Sequence, residues 1–427
     1  MSVEIIDIDQ EPGYAPEPVT TSIDETTQRG YRIWKKNAPF IYDYLSTNSL
    51  LWPSLSVQFF PDITHSSQEE EETISQRLLH GSFTLGQSVD SISILQIPSF
   101  TNLNSNIKIN KLDFNPDKEE LEFSPSNNRA KLKVLQKINH LGDVNKVRYM
   151  PQKPDILASA NNLGDVVIYD RTKHKSFNNS LIDDTDISKV EIRLSNSVMS
   201  CSSDIFALDW NLNHQGLLLS GDMQGIVNLY DLKKYSNNAL NQCRYFENEN
   251  VGINDIQWLP AHDSLFGAVD DQGSVKIYDT RENNPVVVSV QISSHGVDSI
   301  SFNPGFSSGF ATGDSQGIIK IWDLRSLTQQ QTQPVQELTN VHTDSITQLS
   351  WHPKFHNVLA SSSSDHSVKL HDVAESTCFF SHLGHMLGVN DFDWSYADDW
   401  MIASVADDNS LHVWKPSHTV TDRFKTR

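Results

Sequence analysis

One pattern of apolar and polar positions recurs along the chain: an alternating run ends in an aromatic residue, and a second alternating run ends 21 residues later. Six pairs of run ends have this spacing: Tyr149 with Asp170, Trp210 with Asp231, Trp258 with Asp279, Phe302 with Asp323, Trp351 with Asp372, and Trp394 with Lys415. Alternation with a period of two is typical of β-strands that bury one face. The repeats begin 43 to 61 residues apart, so a unit of constant length is joined by loops of variable length.

Each unit also holds a short run of small residues and a tight turn, as in GDSQG (313–317). A seventh copy precedes these six, with Phe59 at the aromatic position, SISILQI (91–97) as the second alternating run, and an acidic loop at 62–76 inside it. Units of this length are typical of four-stranded blades, and seven blades close a ring that has no free sheet edge. The sequence therefore predicts an all-β fold, a seven-bladed β-propeller over residues 52–416.

A helical pattern precedes the first blade and predicts an N-terminal α-helix over residues 22–47. The pattern starts with the capping-box sequence SIDE (22–25), and apolar side chains follow at helical spacing: Trp34, Ala38, Ile41 and Leu45. Pro39 is expected to kink or split the helix. More apolar residues are present than docking on the propeller requires, so part of this face is expected to form a groove for a partner. A disordered acidic N-terminus is expected at 1–21, and a tail at 417–427.

The last repeat carries a polar set that is expected to tie its blade together by a hydrogen-bonded tetrad: His385, Ser404, Asp408 and Trp414. Each such bond adds about 0.5–1.5 kcal/mol to stability. Repeat six has a related set: His342, Ser361, Asp365 and, in place of the tryptophan, His371. Serine, histidine and aspartate also form hydrolytic triads, but no GxSxG elbow accompanies these residues. We therefore predict a structural tetrad, no catalytic residue and no enzyme activity.

Composition narrows the class of partner. The net charge of −21 disfavours direct binding to nucleic acid or to membranes and favours basic proteins. No apolar run approaches about 18 residues, so no membrane span is expected. The three cysteines are far apart and the HxxH of His382 and His385 lacks an acid or thiol partner nearby in sequence, so no metal and no cofactor are expected. Four acids are predicted beside strand starts or turns at one end of the ring: Asp143, Asp204, Asp344 and Asp407.

Several segments resemble the retinoblastoma-binding histone chaperones, a family of WD-repeat proteins. The resemblance covers almost the whole chain and is most specific in YRIWKKNAPFIYDYLSTNSLLWPSLSVQFFPD (31–62), with support from INHLGDVNKVRYMPQKPDILA (138–158) and HDSLFGAVDDQ (262–272). Within the family, HMLGVNDFDW (385–394) and SVADDNSLHVWKP (404–416) look most similar to the fungal MSI-type small subunit of chromatin assembly factor.

The resemblance implies a histone chaperone scaffold for nucleosome assembly, located in the nucleus with some cytoplasmic pool. It implies histones H3 and H4 and the larger subunits of chromatin assembly factor as partners, with other chromatin-modifying complexes also open. It implies a top face that binds an extended basic histone tail through eight residues: Asp143, Asn145, Asp204, Phe206, Asp344, Thr347, Asp407 and Asn409. It also implies a groove for a histone H4 helix at Phe40, Ile41 and Leu45.

This chain departs from the family pattern in two places. The long acidic insertion that animal members carry before the last blade is reduced here to HDVAESTCFFSHLGH (371–385), so half of the groove is expected to be missing or rebuilt. Aspartate stands where the family usually has glutamate on the top face, and two further family acids are absent near Asn254 and Ser345.

Two other functions stay open from the sequence. YDTR (278–281) and WDLR (322–325) are similar to the WDxR motif of substrate receptors in cullin-RING ubiquitin ligases, in which Arg281 and Arg325 would contact an adaptor. The chain could also be the histone-binding subunit of a histone acetyltransferase complex, because that sister subunit shares the same motifs.

Overall fold

The architecture was determined from a computed structural model. The structure describes residues 25–68, 71–97, 112–115, 120–123, 132–176, 187–195, 203–236, 239–240, 243–247, 251–282, 285–327 and 333–425. The predicted disordered N-terminus at 1–21 and the capping-box serine Ser22 lie outside these residues. Within them, no helix has the length and apolar character needed to span a membrane.

Seven four-stranded antiparallel sheets form the predicted propeller. The chain begins with helix α1 (Glu25–Ile41) and strand β1 (Tyr42–Ser49). Blade 1 contains β2 (Ser56–Gln68), β3 (Glu71–Gly81), β4 (Ser91–Gln96) and β7 (Lys133–Asn139), and between the last two lies a two-stranded sheet of β5 (Leu112–Asn115) and β6 (Glu120–Phe123). Blade 2 contains β8 (Val144–Met150), β9 (Lys153–Asn161), β10 (Asp165–Asp170) and β11 (Ile192–Ser195).

The next three blades follow in chain order. Blade 3 contains β12 (Ile205–Trp210), β13 (Leu217–Asp222), β14 (Ile226–Asp231) and β17 (Cys243–Glu247), with a two-residue hairpin of β15 (Tyr235–Ser236) and β16 (Ala239–Leu240) before its last strand. Blade 4 contains β18 (Ile253–Trp258), β19 (Leu265–Asp270), β20 (Ser274–Asp279) and β21 (Val286–Gln291). Blade 5 contains β22 (Val297–Phe302), β23 (Gly309–Asp314), β24 (Ile319–Asp323) and β25 (Gln336–Leu338).

The last two blades complete the ring. Blade 6 contains β26 (Ile346–Trp351), β27 (Val358–Ser363), β28 (Val368–Asp372) and β29 (Thr377–His382). Blade 7 contains β30 (Val389–Trp394), β31 (Ile402–Ala406), β32 (Ser410–Pro416) and, as its outer strand, β1. The predicted tail at 417–427 includes the short helix α2 (His418–Thr421), and short 3-10 turns span Arg171–Lys173, Leu232–Lys234 and Asp422–Phe424. Phe424 in that tail is buried.

The predicted repeat register is confirmed by the strand pairing. In six blades the aromatic residue that ends the first strand pairs with the residue eight positions later in the second strand, as Trp210 does with Leu218 and Trp394 with Ile402. In blade 1, Phe59 holds this place and pairs with Leu78. All seven aromatic side chains are buried, so they occupy equivalent depths in the core.

Two predictions about the first hundred residues are wrong in part. The helix does not run to residue 47: it ends at Ile41, and Tyr42–Ser49 is an extended strand that pairs with β32 from Tyr42↔Pro416 to Ser49↔Ser410. Backbone pairing to an otherwise unpaired edge outweighs the local helical pattern here, and it extends the propeller to residue 42. The expected loop at 62–76 is likewise paired, because β2 and β3 continue as one long hairpin from Ile63↔Gln76 to Gln68↔Glu71.

The innermost strand of each blade faces the central channel with one edge that no described strand pairs. Side chains of a neighbouring blade accept its backbone N–H groups at several places: Val147 N–H to Ser56 Oγ (3.1 Å), Trp258 to Asp209 (2.7 Å), Ile300 to Asp255 (3.1 Å), Leu349 to Ser299 (3.0 Å), Val57 to Asp391 (2.8 Å) and Phe59 to Asp393 (2.7 Å). These bonds satisfy groups that burial would otherwise penalise, and they join each of these blades to the next.

Candidate functional site

The tetrad residues of blade 7 lie together at the junction of its strands. Trp414 Nε1 donates to Ser404 Oγ over 3.2 Å, and His385 Nε2 lies 2.8 Å from the same oxygen. The predicted direct contact between His385 and Asp408 is not made, because their nearest atoms are 3.9 Å apart. Ser410 instead hydrogen-bonds to His385 Nδ1 at 2.6 Å and donates to the Asp408 carboxylate. Asp408 therefore reaches the histidine through a hydroxyl group that the sequence did not single out.

Blade 6 holds the related set with a direct contact. His342 lies 2.9 Å from Asp365 through Nδ1 and 2.7 Å from Ser361 through Nε2. His371 Nε2 completes the set at 2.8 Å from the serine hydroxyl, in the place of the tryptophan indole. Both sets hold strands of one blade together inside buried surroundings, which suits a structural role.

The first strands of all seven blades begin at the same end of the channel, and this end is called the mouth below. Each blade contributes to the mouth the residue that stands four positions before its repeat aromatic: Leu55, Asn145, Phe206, Asn254, Asp298, Thr347 and Asn390. A cavity of about 230 Å³ opens here and is lined by Leu55, Asn145, Lys146, Phe206, Asn254, Thr347, Gln348, Asn390 and Asp391. Three of the eight predicted top-face residues, Asn145, Phe206 and Thr347, thus line one cavity.

The other five predicted residues surround the mouth without lining that cavity. Asp344 and Asp407 are exposed, and Asp407 accepts a hydrogen bond from Asn390 Nδ2 at 2.7 Å. Asp204 is half-buried, and Asn409 lies in the turn between β31 and β32 with a left-handed φ of 60°. Asp143 is almost fully buried, and its carboxylate accepts a bond from Asn162 Nδ2 at 3.0 Å. Direct contact with a peptide therefore falls mainly to the exposed and half-buried acids.

A third carboxyl group stands behind the two acids of blades 2 and 3. Asp90 is buried, and it accepts hydrogen bonds from the hydroxyl groups of Ser82 and Thr84. Burial and the neighbouring Asp143 carboxylate raise the pKa of Asp90 to about 6. Burial and Asp143 also raise the pKa of Asp204. Carboxylates that raise one another's pKa values in this way gain from the approach of a positive charge.

An acid that sequence reasoning missed occupies the far side of the mouth. Asp298 accepts hydrogen bonds from Ser345 Oγ at 2.9 Å and from Asn254 Nδ2 at 3.4 Å, and these are the two positions where family acids are absent. Burial raises the pKa of Asp298 to about 6. A carboxyl group is thus retained between the two neutral side chains. The four-residue offset from Phe302 was the signal that could have identified it.

Within the cavity, Asn145 presents a polar group that lacks a hydrogen-bond partner among the described residues. Its side chain is 4% exposed, and its Nδ2 atom has no acceptor within hydrogen-bond distance. Buried amide groups are usually satisfied, so an unpaired one in a cavity marks a place for a ligand or a water molecule.

The three predicted groove residues differ in exposure. Phe40 is 55% exposed near the end of α1, and Ile33 on the same helix is 53% exposed. Ile41 and Leu45 are partly buried against the core of blades 6 and 7, together with the fully buried Trp34 and Ala38. Leu45 belongs to β1 and not to the helix, so the predicted groove is formed by a helix end and the strand after it.

The opposite wall of this groove is short. Residues 371–385 form a tight hairpin of β28 and β29 with a left-handed Ser376 at φ 55°, where animal members of the resembling family carry an acidic insertion. The solvent-facing side of α1 carries Arg29, Arg32 and Lys36 beside its two exposed apolar residues. The groove side is therefore basic, whereas the mouth of the channel is acidic.

Three buried histidines meet behind helix α1: His382, His385 and His412. One ring nitrogen from each lies within 4.8 Å of those of the other two, a grouping that could in principle receive a metal ion. Both nitrogens of His382 and both of His385 already have protein hydrogen-bond partners, however. We assign these residues a structural role within the blade 6 and blade 7 core.

The two WDxR-like arginines lie at the end opposite the mouth. Arg281 and Arg325 are largely exposed, and each makes a two-pronged ion pair with the aspartate two residues earlier, Asp279 at 2.7 Å and Asp323 at 2.6 Å. The guanidinium groups lower the pKa of both carboxyl groups to about 2. An adaptor would have to compete with these internal partners.

Comparison with known proteins identifies the family. Residues 29–101 match the family model described as histone-binding protein RBBP4 or the corresponding subunit of the CAF1 complex, and residues 240–414 match the propeller model of the Nucleolar protein 10-like N-terminal domain. The chain is 35% identical over 420 residues to the histone-binding protein MSI1 of Saccharomyces cerevisiae, covering 93% of this chain and 96% of that protein.

Other relatives carry a different name. The histone acetyltransferase type B subunit 2 of Schizosaccharomyces pombe is 31% identical over 436 residues, covering 94% of this chain and 93% of that protein. The protein of the same name from Debaryomyces hansenii is 29% identical with similar coverage. From its full-length similarity and its matched N-terminal segment, the chain belongs to the family of the histone-binding protein RBBP4 and its counterpart in the CAF1 complex.

Proposed function

We propose that this protein is a histone-binding chaperone scaffold that acts in chromatin assembly. Its partners are histones H3 and H4 and the larger subunits of a chromatin complex. The observation that carries the proposal is the ring of carboxyl groups around the channel mouth, in a protein whose relatives are named for histone binding. An extended basic peptide is the partner class that such a mouth attracts.

The mouth would use its two kinds of polar group for different tasks. The exposed carboxylates of Asp344 and Asp407 and the half-buried Asp204 attract lysine and arginine side chains over distances set by salt screening, about 8–10 Å. The cavity beneath them, with its unpaired Asn145 amide and the apolar Phe206, then receives one side chain of the peptide. Charge thus supplies much of the association rate and the cavity supplies the register.

The groove at Phe40, Ile41 and Leu45 is proposed as a second surface, for an amphipathic histone H4 helix. Phe40 and Ile33 would make the apolar contacts, while Ile41 and Leu45 support them from below. Because the opposite wall is a short hairpin and α1 is basic, binding here would depend on apolar contacts more than on charge. We therefore expect a weaker site than the mouth.

The remaining assignments follow from the same proposal. The protein acts as a scaffold without catalytic chemistry of its own, and it is placed in the nucleus, with some cytoplasmic pool. We favour the assembly-factor subunit over the acetyltransferase subunit because of the higher identity to MSI1. The ligase-receptor alternative is not favoured, since the relatives above are histone-binding or acetyltransferase subunits. Affinity purification with identification of the co-purifying large subunits distinguishes these assignments.

A titration with a fluorescent H3 N-terminal peptide tests the mouth. The double variant Asp204→Lys with Asp407→Lys turns two attractive contacts into repulsive ones, at roughly 1 kcal/mol or more each, so the peptide should bind about thirtyfold more weakly. A control with the same change of net charge is Asp263→Lys with Asp399→Lys, because these exposed acids lie at the opposite end of the ring. Equal losses in the two double variants would refute the assignment.

A second titration with an H4 helix peptide tests the groove. Phe40→Arg should weaken this peptide and leave the H3 peptide unaffected, because it places a charge on an apolar contact far from the mouth. Val335→Arg, at an exposed apolar residue of blade 5, is the matched control. If both variants bind the H4 peptide equally well, the groove is not its site, whatever the mouth binds.

A further inference from the structure

A line of four buried side chains connects helix α1 to the propeller. Trp34 Nε1 donates to the Tyr42 hydroxyl at 2.8 Å, that hydroxyl lies 2.6 Å from His382 Nδ1, and His382 Nε2 lies 3.0 Å from His412 Nδ1. The line runs from α1 through β1 to the outer strand of blade 6 and the third strand of blade 7. These four residues are called the histidine line below.

The donors and acceptors along the histidine line have one possible order. An indole nitrogen can only donate, so Tyr42 accepts from Trp34 and must give its own hydrogen to His382 Nδ1. The proton of His382 then sits on Nε2 and is donated to His412 Nδ1. Burial raises the pKa of Tyr42 and keeps its hydroxyl protonated. The line is complete only when both imidazoles are neutral.

An added proton cannot be accommodated along this line. A proton on His412 Nδ1 would face the N–H of His382 across 3.0 Å, and a proton on His382 Nδ1 would face the hydroxyl hydrogen of Tyr42 across 2.6 Å. Burial lowers the pKa of both histidines well below the usual value, and their mutual repulsion and that of His385 lower it further.

The charged and titratable groups around the two imidazoles come from several elements. His385, in the loop after β29, stacks on His412 with ring centres 4.2 Å apart, and Asp408 in the turn before β32 acts on His412 in the opposite sense. From α1 and β1 the facing groups are Trp34 and Tyr42. The nearby carboxylate is engaged by Ser410 and by the backbone of Met386, so it is not free to hold a new proton on the line.

Helix α1 covers both imidazoles through the ring of Trp34. Its centre lies 5.6 Å from that of His382 in an edge-on contact and 6.1 Å from that of His412 in a stacked one. The fit is close, since a Cβ atom added to Gly384 would lie 2.6 Å from the indole. Lifting α1 would therefore expose both histidines to water, where their affinity for protons returns to the ordinary range.

We propose that the histidine line is a positioning device that docks α1 on blades 6 and 7 at neutral pH and releases it on mild acidification. Release moves the face that carries Ile33 and Phe40 while the channel mouth keeps its shape. The device depends on the docking of α1 alone, and so it holds whether or not that face binds a histone helix.

The sign and size of the effect follow from proton linkage. Each histidine is neutral when docked and has an ordinary pKa near 6.5 when exposed, so docking is fully favoured above pH 6.5 and weakens as the pH falls below it. At pH 5 one such histidine weakens docking about thirtyfold, and two weaken it up to about a thousandfold.

Hydrogen–deuterium exchange of the full-length protein between pH 7.5 and pH 5 measures this directly. With exchange times corrected for the intrinsic effect of pH, protection of amides in residues 29–41 should fall by at least about thirtyfold, while protection of blade 4 at 253–279 should stay constant. Equal loss in both segments would mean global unfolding and would overturn the proposal. A response of α1 to zinc chloride or EDTA in place of pH would overturn it too.

Two variants separate positioning from packing. His412→Asn keeps an acceptor for the His382 N–H but cannot take a proton, so the pH effect on residues 29–41 should shrink to that of one histidine. His80→Asn, which removes a buried histidine of blade 1 with a pKa lowered to about 4, should leave the effect unchanged. Identical pH profiles for His412→Asn and the unaltered protein would refute the line.

A spectroscopic measurement keeps the proposal testable if His412→Asn does not fold. Imidazole nitrogen-15 shifts of the unaltered protein should place the proton of both His382 and His412 on Nε2, and neither signal should titrate between pH 8 and pH 6. A signal from either residue that titrates near pH 6.5 in the docked protein would overturn the assignment.

Discussion

Replacing Asp391 by alanine should destabilise the ring where its ends meet. The Asp391 carboxylate is buried in blade 7, accepts the N–H of Val57 in blade 1 at 2.8 Å, and forms an ion pair with Arg148 of blade 2 at 2.9 Å. One side chain thus holds three consecutive blades at the point of closure.

The size of the loss follows from what the substitution leaves behind. Breaking a buried ion pair by removing one partner costs about 3–5 kcal/mol, because the other charge stays buried. The unpaired Val57 N–H adds to this, although Arg148 keeps its bonds to Ser56 Oγ and to the Val147 carbonyl. We expect a total of about 3–5 kcal/mol, which is a large part of the roughly 5–15 kcal/mol that stabilises a typical domain.

Equilibrium unfolding in urea, followed by tryptophan fluorescence and circular dichroism, measures the loss. Asp399→Ala is the control, because Asp399 pairs with Lys354 at 2.9 Å on the surface, with both side chains about half exposed or more. A surface pair contributes about 0–1 kcal/mol. If the two alanine variants unfold at the same urea concentration, the channel contacts do not stabilise ring closure as argued.

Three further predictions follow. Ser410→Ala should lower stability by about 1–3 kcal/mol in thermal unfolding, because it separates Asp408 from His385; an unchanged melting temperature would contradict the relayed tetrad. Affinity for a basic H3 peptide should fall as the pH drops through 6, since Asp90 and Asp298 become neutral there and no longer attract the peptide; calorimetric titration at pH 7.5 and pH 5.5 should reveal this loss, and constant affinity would exclude both acids. Deleting residues 1–49 should promote self-association by exposing the edge of β32, whereas deleting residues 1–41 should not; light scattering distinguishes the two, and equal association would refute the role of β1.

Much of the fold could be predicted because the repeat encodes its own register. The constant distance from Trp210 to Asp231 fixes the first three strands of a blade, and the small residues between them leave one way to pair. Strand β1 could not be predicted in the same way. Ile41 and Leu45 stand four residues apart, as on a helix, and the partner that makes them extended lies at the other end of the chain.

The candidate site was predictable where it follows the repeat and not where it depends on contacts across it. Asn145, Phe206 and Thr347 share one repeat position, and the same offset leads to Asp298, which was overlooked. The relay through Ser410 and the contact between Tyr42 and His382 depend on side-chain geometry between distant strands, which spacing along the sequence does not encode.

The strand that seals blade 7 also sets a timetable for synthesis. Strand β1 leaves the ribosome early, but its partner β32 is made about 370 residues later, which at 5–20 residues per second is a delay of roughly 20–70 seconds. During that interval the unpaired edge of β1 and the apolar side of α1 have no permanent partner. The nascent protein should therefore need a holding factor in the cell, and its yield should respond to elongation speed more strongly near the C-terminus than anywhere else.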